Sequence, residues 1–256
     1  MIKRINCLLL LWFLTIAHSV KAHDIVEIVK KSKSSVVGIG VHDPLRSPRS
    51  VLHGTGFVVA DGRHIITNHH VIDNKLDPKS KQRRVVFAGE GSRPRVYEAT
   101  VVEIDELHDL ALLRINTTMK PFKLAKPELI PDGSEVIFTG FPIGQILGFY
   151  PVTHRGIIAA ATPVIIPSSH SSQLDISTVK RLRDPYFVYQ MDATAYPGNS
   201  GSAVYHSVSG EVVAVINKVF VKTTKEAVLS DPSGITYAIP VKYVRELLDK
   251  AGVKLK

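Results

Sequence analysis

From residue 36 to about residue 240 the chain is a succession of short β-rich runs broken by turn signals, and this spacing limits the folds open to it. The runs are Val36–Val41, Gly56–Ala60, His64–Thr67, Arg84–Ala88, Tyr97–Ile104, Leu110–Ile115, Glu135–Gly140, His154–Ala161, Phe187–Met191, Gly201–Tyr205, Glu211–Val219 and Thr236–Ile239. Asp61-Gly62, Pro131-Asp132-Gly133 and Ser209-Gly210 are among the breaks, residue pairs that favour turns. Amphipathic stretches flank the series. Asp24 to Lys33 is apolar at 25, 26, 28 and 29, with Asp24 placed to cap a short helix. Pro240 to Ala251 carries Val244, Leu247 and Leu248 on one face and stops at Gly252. Short strands with one helix at each end predict an all-β sandwich or barrel, not alternating βα units. His42 to His53 and Ile166 to Tyr186 read as polar loops of a length uncommon without a functional role.

Residues 1–22 are expected to be a signal peptide rather than part of the fold. A basic start, Lys3-Arg4, precedes the apolar run Cys7 to Ala17, and Val20 and Ala22 are small residues before a cut. That run is shorter than the roughly 20 residues needed to span a bilayer, so no stable membrane anchor is expected after cleavage. The expected protein is exported, periplasmic or secreted, and occupies residues 23–256, with an internal boundary near 120–133. The only cysteine leaves with the signal, so the fold must rest on its hydrophobic core without a disulfide. Losing Lys3, Arg4 and Lys21 lowers the formal charge from +9 to +6. The remaining basic residues are scattered and not interleaved with aromatics, which argues against nucleic-acid binding.

Three segments carry the chemistry: Gly54 to Val71, Asp109 to Ile115 and Asp192 to Ala203. Gly198-Asn199-Ser200-Gly201 alone is ordinary turn composition. It has a second reading, because Gly198 can adopt backbone angles closed to other residues and so aim the Gly198 and Ser200 amides into one hollow. An oxyanion donor in such a hollow is typically worth ~3–4 kcal/mol of barrier. A serine hydroxyl needs a base to become a nucleophile at neutral pH. His70 follows an apolar strand and opens a short turn, so it can be anchored while its ring faces a cleft. Asp109 leads an apolar run, where a carboxylate is costly unless hydrogen-bonded. Pairing with His70 would satisfy it and fix the imidazole tautomer. By itself Asp109 also fits a strand cap.

The order His, Asp, Ser and the local words resemble the chymotrypsin-like serine proteases, and within them the bacterial HtrA/Deg branch. The matching words are Gly54-Thr-Gly-Phe-Val-Val, Thr67-Asn-His-His-Val, Asp109-Leu-Ala-Leu-Leu, Gly140-Phe-Pro-Ile-Gly, Gly156-Ile-Ile-Ala-Ala, Pro197-Gly-Asn-Ser-Gly and Tyr237-Ala-Ile-Pro. The resemblance covers roughly residues 24 to 250. It implies two six-stranded antiparallel β-barrels with a cleft between them, His70 and Asp109 on the first and Ser200 on the second. It also implies a serine endopeptidase needing no metal or organic cofactor, acting on unfolded exported polypeptides and cutting after small aliphatic residues. Pocket walls are expected from Thr194, Ala195, Tyr196, Ile216, Asn217 and Lys218. A homo-oligomer is open, since trimers are common among the relatives.

Three departures stand out: no PDZ domain is expected after the closing helix, Ser202 replaces the usual second glycine, and the 166–186 loop, in the place of an activation loop, is long. The turn is expected to survive because Gly201 is kept; Ser202 would share the side of Ser200, and whether its side chain crowds the cleft is left open by the sequence. His69 is set aside by the Thr-Asn-x-His-Val alignment, His108 is read as surface, and Asp192 as holding the loop before the nucleophile or lining the pocket. Rival readings are a chaperone-like polypeptide-binding module with weak catalysis and a narrow-specificity processing protease.

Overall fold

The computed structural model describes residues 25–91, 93–143, 148–164, 186–219 and 234–255. The expected signal segment, Asp24 and nearly all of the 166–186 loop lie outside the described residues.

Six strands, β1 (Val36–His42), β2 (Ser50–Val59), β3 (His64–Asn68), β4 (Arg83–Ala88), β5 (Arg95–Asp105) and β6 (Leu110–Ile115), close a first barrel. Six more, β7 (Glu135–Gly140), β8 (Val152–Pro163), β9 (Phe187–Asp192), β10 (Ala203–His206), β11 (Val212–Val219) and β12 (Ile235–Pro240), close a second. Around the first barrel the order is β1-β2-β3-β6-β5-β4, and the second repeats it as β7-β8-β9-β12-β11-β10, every pairing antiparallel. This is the expected all-β architecture of two six-stranded barrels, the chymotrypsin fold. Helix α1 (Ile25–Lys33) and helix α3 (Val241–Lys250) stand at the two ends, as expected. One further helical turn, α2 (His69–Ile72), follows β3. Among the described residues no helix is long and apolar enough to cross a membrane.

Two kinds of strand explain the packing. In β6 all of Leu110 to Leu113 are buried. Ala111 and Leu113 point into the first barrel, while Leu110 and Leu112 face a core shared by both barrels. Strands buried on both faces read as unbroken apolar runs, and here those runs mark the seam between barrels. Strand β5, by contrast, leaves Val96, Glu98 and Thr100 to solvent and buries Ala99. The shared core gathers Phe57 and Leu112 from the first barrel, Ile137 and Tyr205 from the second, and Val244 and Leu248 from α3. Phe122, on the connection between the barrels, wedges its ring edge-on against Phe57 at 5.9 Å and tilted against Tyr205 at 5.5 Å. Each such ring contributes about 1.5–3 kcal/mol by burial.

Strand β2 begins earlier than its composition suggests. Ser50, Val51 and Leu52, expected within a loop, pair with His42, Val41 and Gly40 of β1. Backbone bonds to a neighbouring strand impose extended structure on a polar, proline-flanked sequence. His53 is the extra residue where that register shifts.

Candidate active site

Strand β3 delivers Asn68 in extended conformation, and α2 starts immediately after it. The chain turns there because its polar groups have one partner in common. The Asn68 side-chain amide donates to the Asp109 carbonyl at 3.0 Å, and the His69 amide donates to the same oxygen at 3.1 Å. His70 then meets the Asp109 carboxylate twice. Its backbone amide donates to Oδ1 at 2.9 Å, and its ring Nδ1 lies 2.6 Å from Oδ2. A ring held through Nδ1 presents Nε2 to the cleft. Asp109 has φ of +53°, a left-handed conformation in which aspartate is among the better-tolerated side chains. The side chain of His70 is 35% exposed and that of Asp109 17%, so the pair is open to a substrate on one side.

The second barrel supplies the turn before β10. Tyr196 accepts from the Asn199 amide at 3.0 Å, with Pro197 and Gly198 between them, the composition of a type II turn. Gly198 has φ of +99°, and a Cβ on it would stand 2.3 Å from the Phe141 carbonyl oxygen. Gly201 has φ of +85°, and its Cβ would meet the Thr55 carbonyl oxygen at 2.1 Å. Both positions therefore exclude any side chain. Neither the Gly198 nor the Ser200 amide donates to an acceptor among the described residues. The Ser200 hydroxyl donates to the Asn217 carbonyl at 3.0 Å, and no hydrogen bond joins it to His70.

Thr55, from β2, locks the two halves together. Its amide donates to the Ser200 carbonyl at 2.9 Å and its hydroxyl to the Gly198 carbonyl at 2.7 Å. The same hydroxyl accepts the Phe141 amide at 3.0 Å, and the Thr55 carbonyl accepts the Thr67 hydroxyl at 2.7 Å. Sequence reasoning missed this role. The sequence shows only a hydroxyl residue between two glycines in an apolar run, which names no partner.

One open point is answered and one expectation needs correction. Ser202 does not crowd the cleft: it is fully buried, and its hydroxyl lies over Gly140 with the side-chain oxygen of Asn199. His108 is not a surface residue. At 9% exposure it stacks on Tyr243 of α3 at 3.9 Å and meets the Tyr186 ring edge-on at 4.7 Å. Asp105 holds its Nδ1 at 2.5 Å. Burial pushes the Asp105 carboxyl up, but hydrogen bonds from the His108 ring and amide outweigh it and hold the group below the usual range.

Of the expected pocket residues, Ala195 and Ile216 are buried within the second barrel. Thr194, Tyr196 and Asn217 are partly exposed. The Lys218 side chain lies outside the described residues. Asp192 is exposed, at the end of β9.

Residues 54–215 match the trypsin-like peptidase domain family. The chain belongs to that family. Among curated relatives, the mitochondrial serine protease HTRA2 of Drosophila grimshawi is 28% identical over 239 residues, 91% of this chain and 48% of that protein. The chain thus spans about half the length of the curated relatives it matches. The serine endoprotease of Yersinia pestis superposes with a TM-score of 0.63 at 24% identity, over 89% of this chain and 66% of that one. The Rv3671c protease of M. tuberculosis, in its active form, gives 0.64 at 23% identity, over 89% and 85%. At these identities the two structures speak to fold alone. They show that the chain shares their fold.

Proposed function

We propose that this protein is a serine endopeptidase in which Ser200 is the nucleophile, His70 the general base and Asp109 the group that orients the base. The observation that carries the reading is the double contact between His70 and Asp109, across from a turn whose two glycines admit no side chain. Asp109 fixes the proton on Nδ1 and leaves Nε2 as acceptor. For attack, the Ser200 hydroxyl turns from the Asn217 carbonyl toward His70. As Oγ bonds to the scissile carbonyl carbon, its proton passes to Nε2, and the new oxyanion is held by the Gly198 and Ser200 amides. The C–N bond then breaks, with the imidazolium proton going to the leaving amine. Water repeats the sequence on the acyl-enzyme, with His70 again as base, and releases the acid.

The substrates are proposed to be polypeptides of an exported compartment, unfolded ones in particular, reached after cleavage of residues 1–22. Family membership supports polypeptide substrates, and a His70 side chain 35% exposed leaves the base open to them. The experiment is fluorescent casein hydrolysis by the purified chain beside its Ser200→Ala variant. Hydrolysis lost in the variant is expected, and hydrolysis at an undiminished rate would remove Ser200 from the mechanism.

A further inference from the structure

The hairpin turn between β5 and β6 holds a second aspartate–histidine pair, and its histidine is the residue before Asp109. Asp105, the last residue of β5, lies opposite Leu110, and residues 106–109 turn the chain between them. The Asp105 carboxylate takes the His108 amide at 3.1 Å on Oδ1 and lies 2.5 Å from the His108 ring Nδ1 through Oδ2. Asp109 meets His70 in the same way, with the backbone amide on one oxygen and Nδ1 on the other.

The His108 ring is gripped from outside the first barrel as well. Its face stacks on Tyr243 of α3 at 3.9 Å, with the two planes 18° apart, and Tyr186, just before β9, meets it edge-on at 4.7 Å. The two tyrosines pack on each other at 5.7 Å, and the Tyr243 hydroxyl accepts the Phe187 amide at 3.3 Å. Farther along α3, Lys250 donates to the Glu103 carboxylate of β5 at 3.0 Å. His108 and Tyr243 are only 9% and 8% exposed, so they present almost no surface to a substrate.

Asp109 needs such support. Its φ of +53° is a costly conformation for a residue with a side chain, and it persists only where the surroundings impose it. On one side the pairing of Leu110 with Asn68 and Asp105 fixes the chain. On the other side the fixed residue is His108. With both neighbours anchored, the Asp109 carboxylate is left facing His70.

We propose that His108 is a positioning residue for the hydrolysis assigned above: held by Asp105, Tyr243 and Tyr186, it keeps Asp109 in the left-handed conformation that aims the carboxylate at His70. It acts through Asp109 and touches neither substrate nor the reacting atoms. The inference rests on the reading of Ser200, His70 and Asp109 as a triad.

Hydrolysis of a fluorogenic peptide and the rate of fluorophosphonate labelling at Ser200 are measured on the full chain, with His108→Ala, Asp109→Ala and both together. His108→Ala is expected to lower kcat by roughly 10- to 100-fold with KM within about twofold, because a misplaced base weakens chemistry and not binding. Labelling is expected to slow by a similar factor. Once Asp109 is alanine there is no carboxylate to aim, so adding His108→Ala is expected to slow labelling by less than about twofold. Undiminished kcat in His108→Ala overturns the inference. So does an equal loss with and without Asp109, the mark of a general loss of structure. Tyr243→Leu removes the stacked ring and leaves His108 in place; if His108→Ala does not fold, the same comparison with Tyr243→Leu decides on the same terms. An unaltered chain that is never labelled at Ser200 overturns the triad reading and this inference with it. A chain labelled at Ser200 and unaffected by His108→Ala removes His108 alone.

Discussion

The Thr55 hydroxyl donates to the Gly198 carbonyl at 2.7 Å, so a strand of the first barrel holds the turn that carries Ser200 on the second. That carbonyl belongs to the residue whose amide is the proposed oxyanion donor, and its orientation fixes which way the neighbouring peptide groups face. Thr55→Val keeps the shape and removes the hydroxyl, while Thr55→Ser keeps the hydroxyl. The valine variant is expected to lose roughly 10²-fold in kcat/KM, the scale of a small misplacement of reacting groups, and the serine variant to recover most of it. Steady-state hydrolysis of a peptide substrate checks this. Equal rates for the two variants would place the contact outside catalysis.

The same reasoning applies to Asp109, where charge and geometry can be separated. Asp109→Asn preserves the size of the side chain but can reverse the donor and acceptor roles at His70 Nδ1. A fall in kcat of about 10⁴-fold is expected with little change in thermal stability. A loss under about tenfold would show that the base needs no carboxylate.

Stability should respond to acid through two histidines. Burial holds the imidazole of His154 below its ordinary range, and burial together with the Arg84 charge does the same for His53. A base whose pKa is lower folded than unfolded takes up its proton more readily when unfolded, so acid favours unfolding. The contribution is complete above the unfolded value of about 6.5 and is lost as pH falls through the folded values beneath it. Melting temperature is therefore expected to hold steady above about pH 7 and to decline below about pH 6.5. His154 stacks on Phe138 at 4.7 Å with its Nε2 buried and unpartnered, so His154→Phe should flatten the decline. An identical slope in the variant would assign the acid sensitivity elsewhere.

Much of this arrangement could be read from the residues, and the exceptions have a common cause. The strands around the seam were legible because Leu110 to Leu113 and Phe57 to Val59 are apolar on both faces. The segments bearing His70, Asp109 and Ser200 were legible because a positive-φ glycine turn and a carboxylate leading an apolar strand both need compensation. The start of β2 was hidden because Ser50 to Leu52 owe their conformation to β1, not to their own preferences. His108 was misread because its partners, Tyr186 and Tyr243, arrive from far along the chain. Thr55 and Ser202 act through contacts with the other barrel or with Gly140, which no local spacing encodes.

The central claim is that Ser200 is activated by the His70–Asp109 pair, and covalent trapping reaches it most directly. The full chain is treated with a fluorophosphonate and the modified peptide is located by mass spectrometry, beside the His70→Ala and Ser200→Ala variants. A single adduct on Ser200 is predicted, nearly absent in the His70 variant and wholly absent in the Ser200 variant. An adduct on another residue, or equal labelling without His70, would contradict the account.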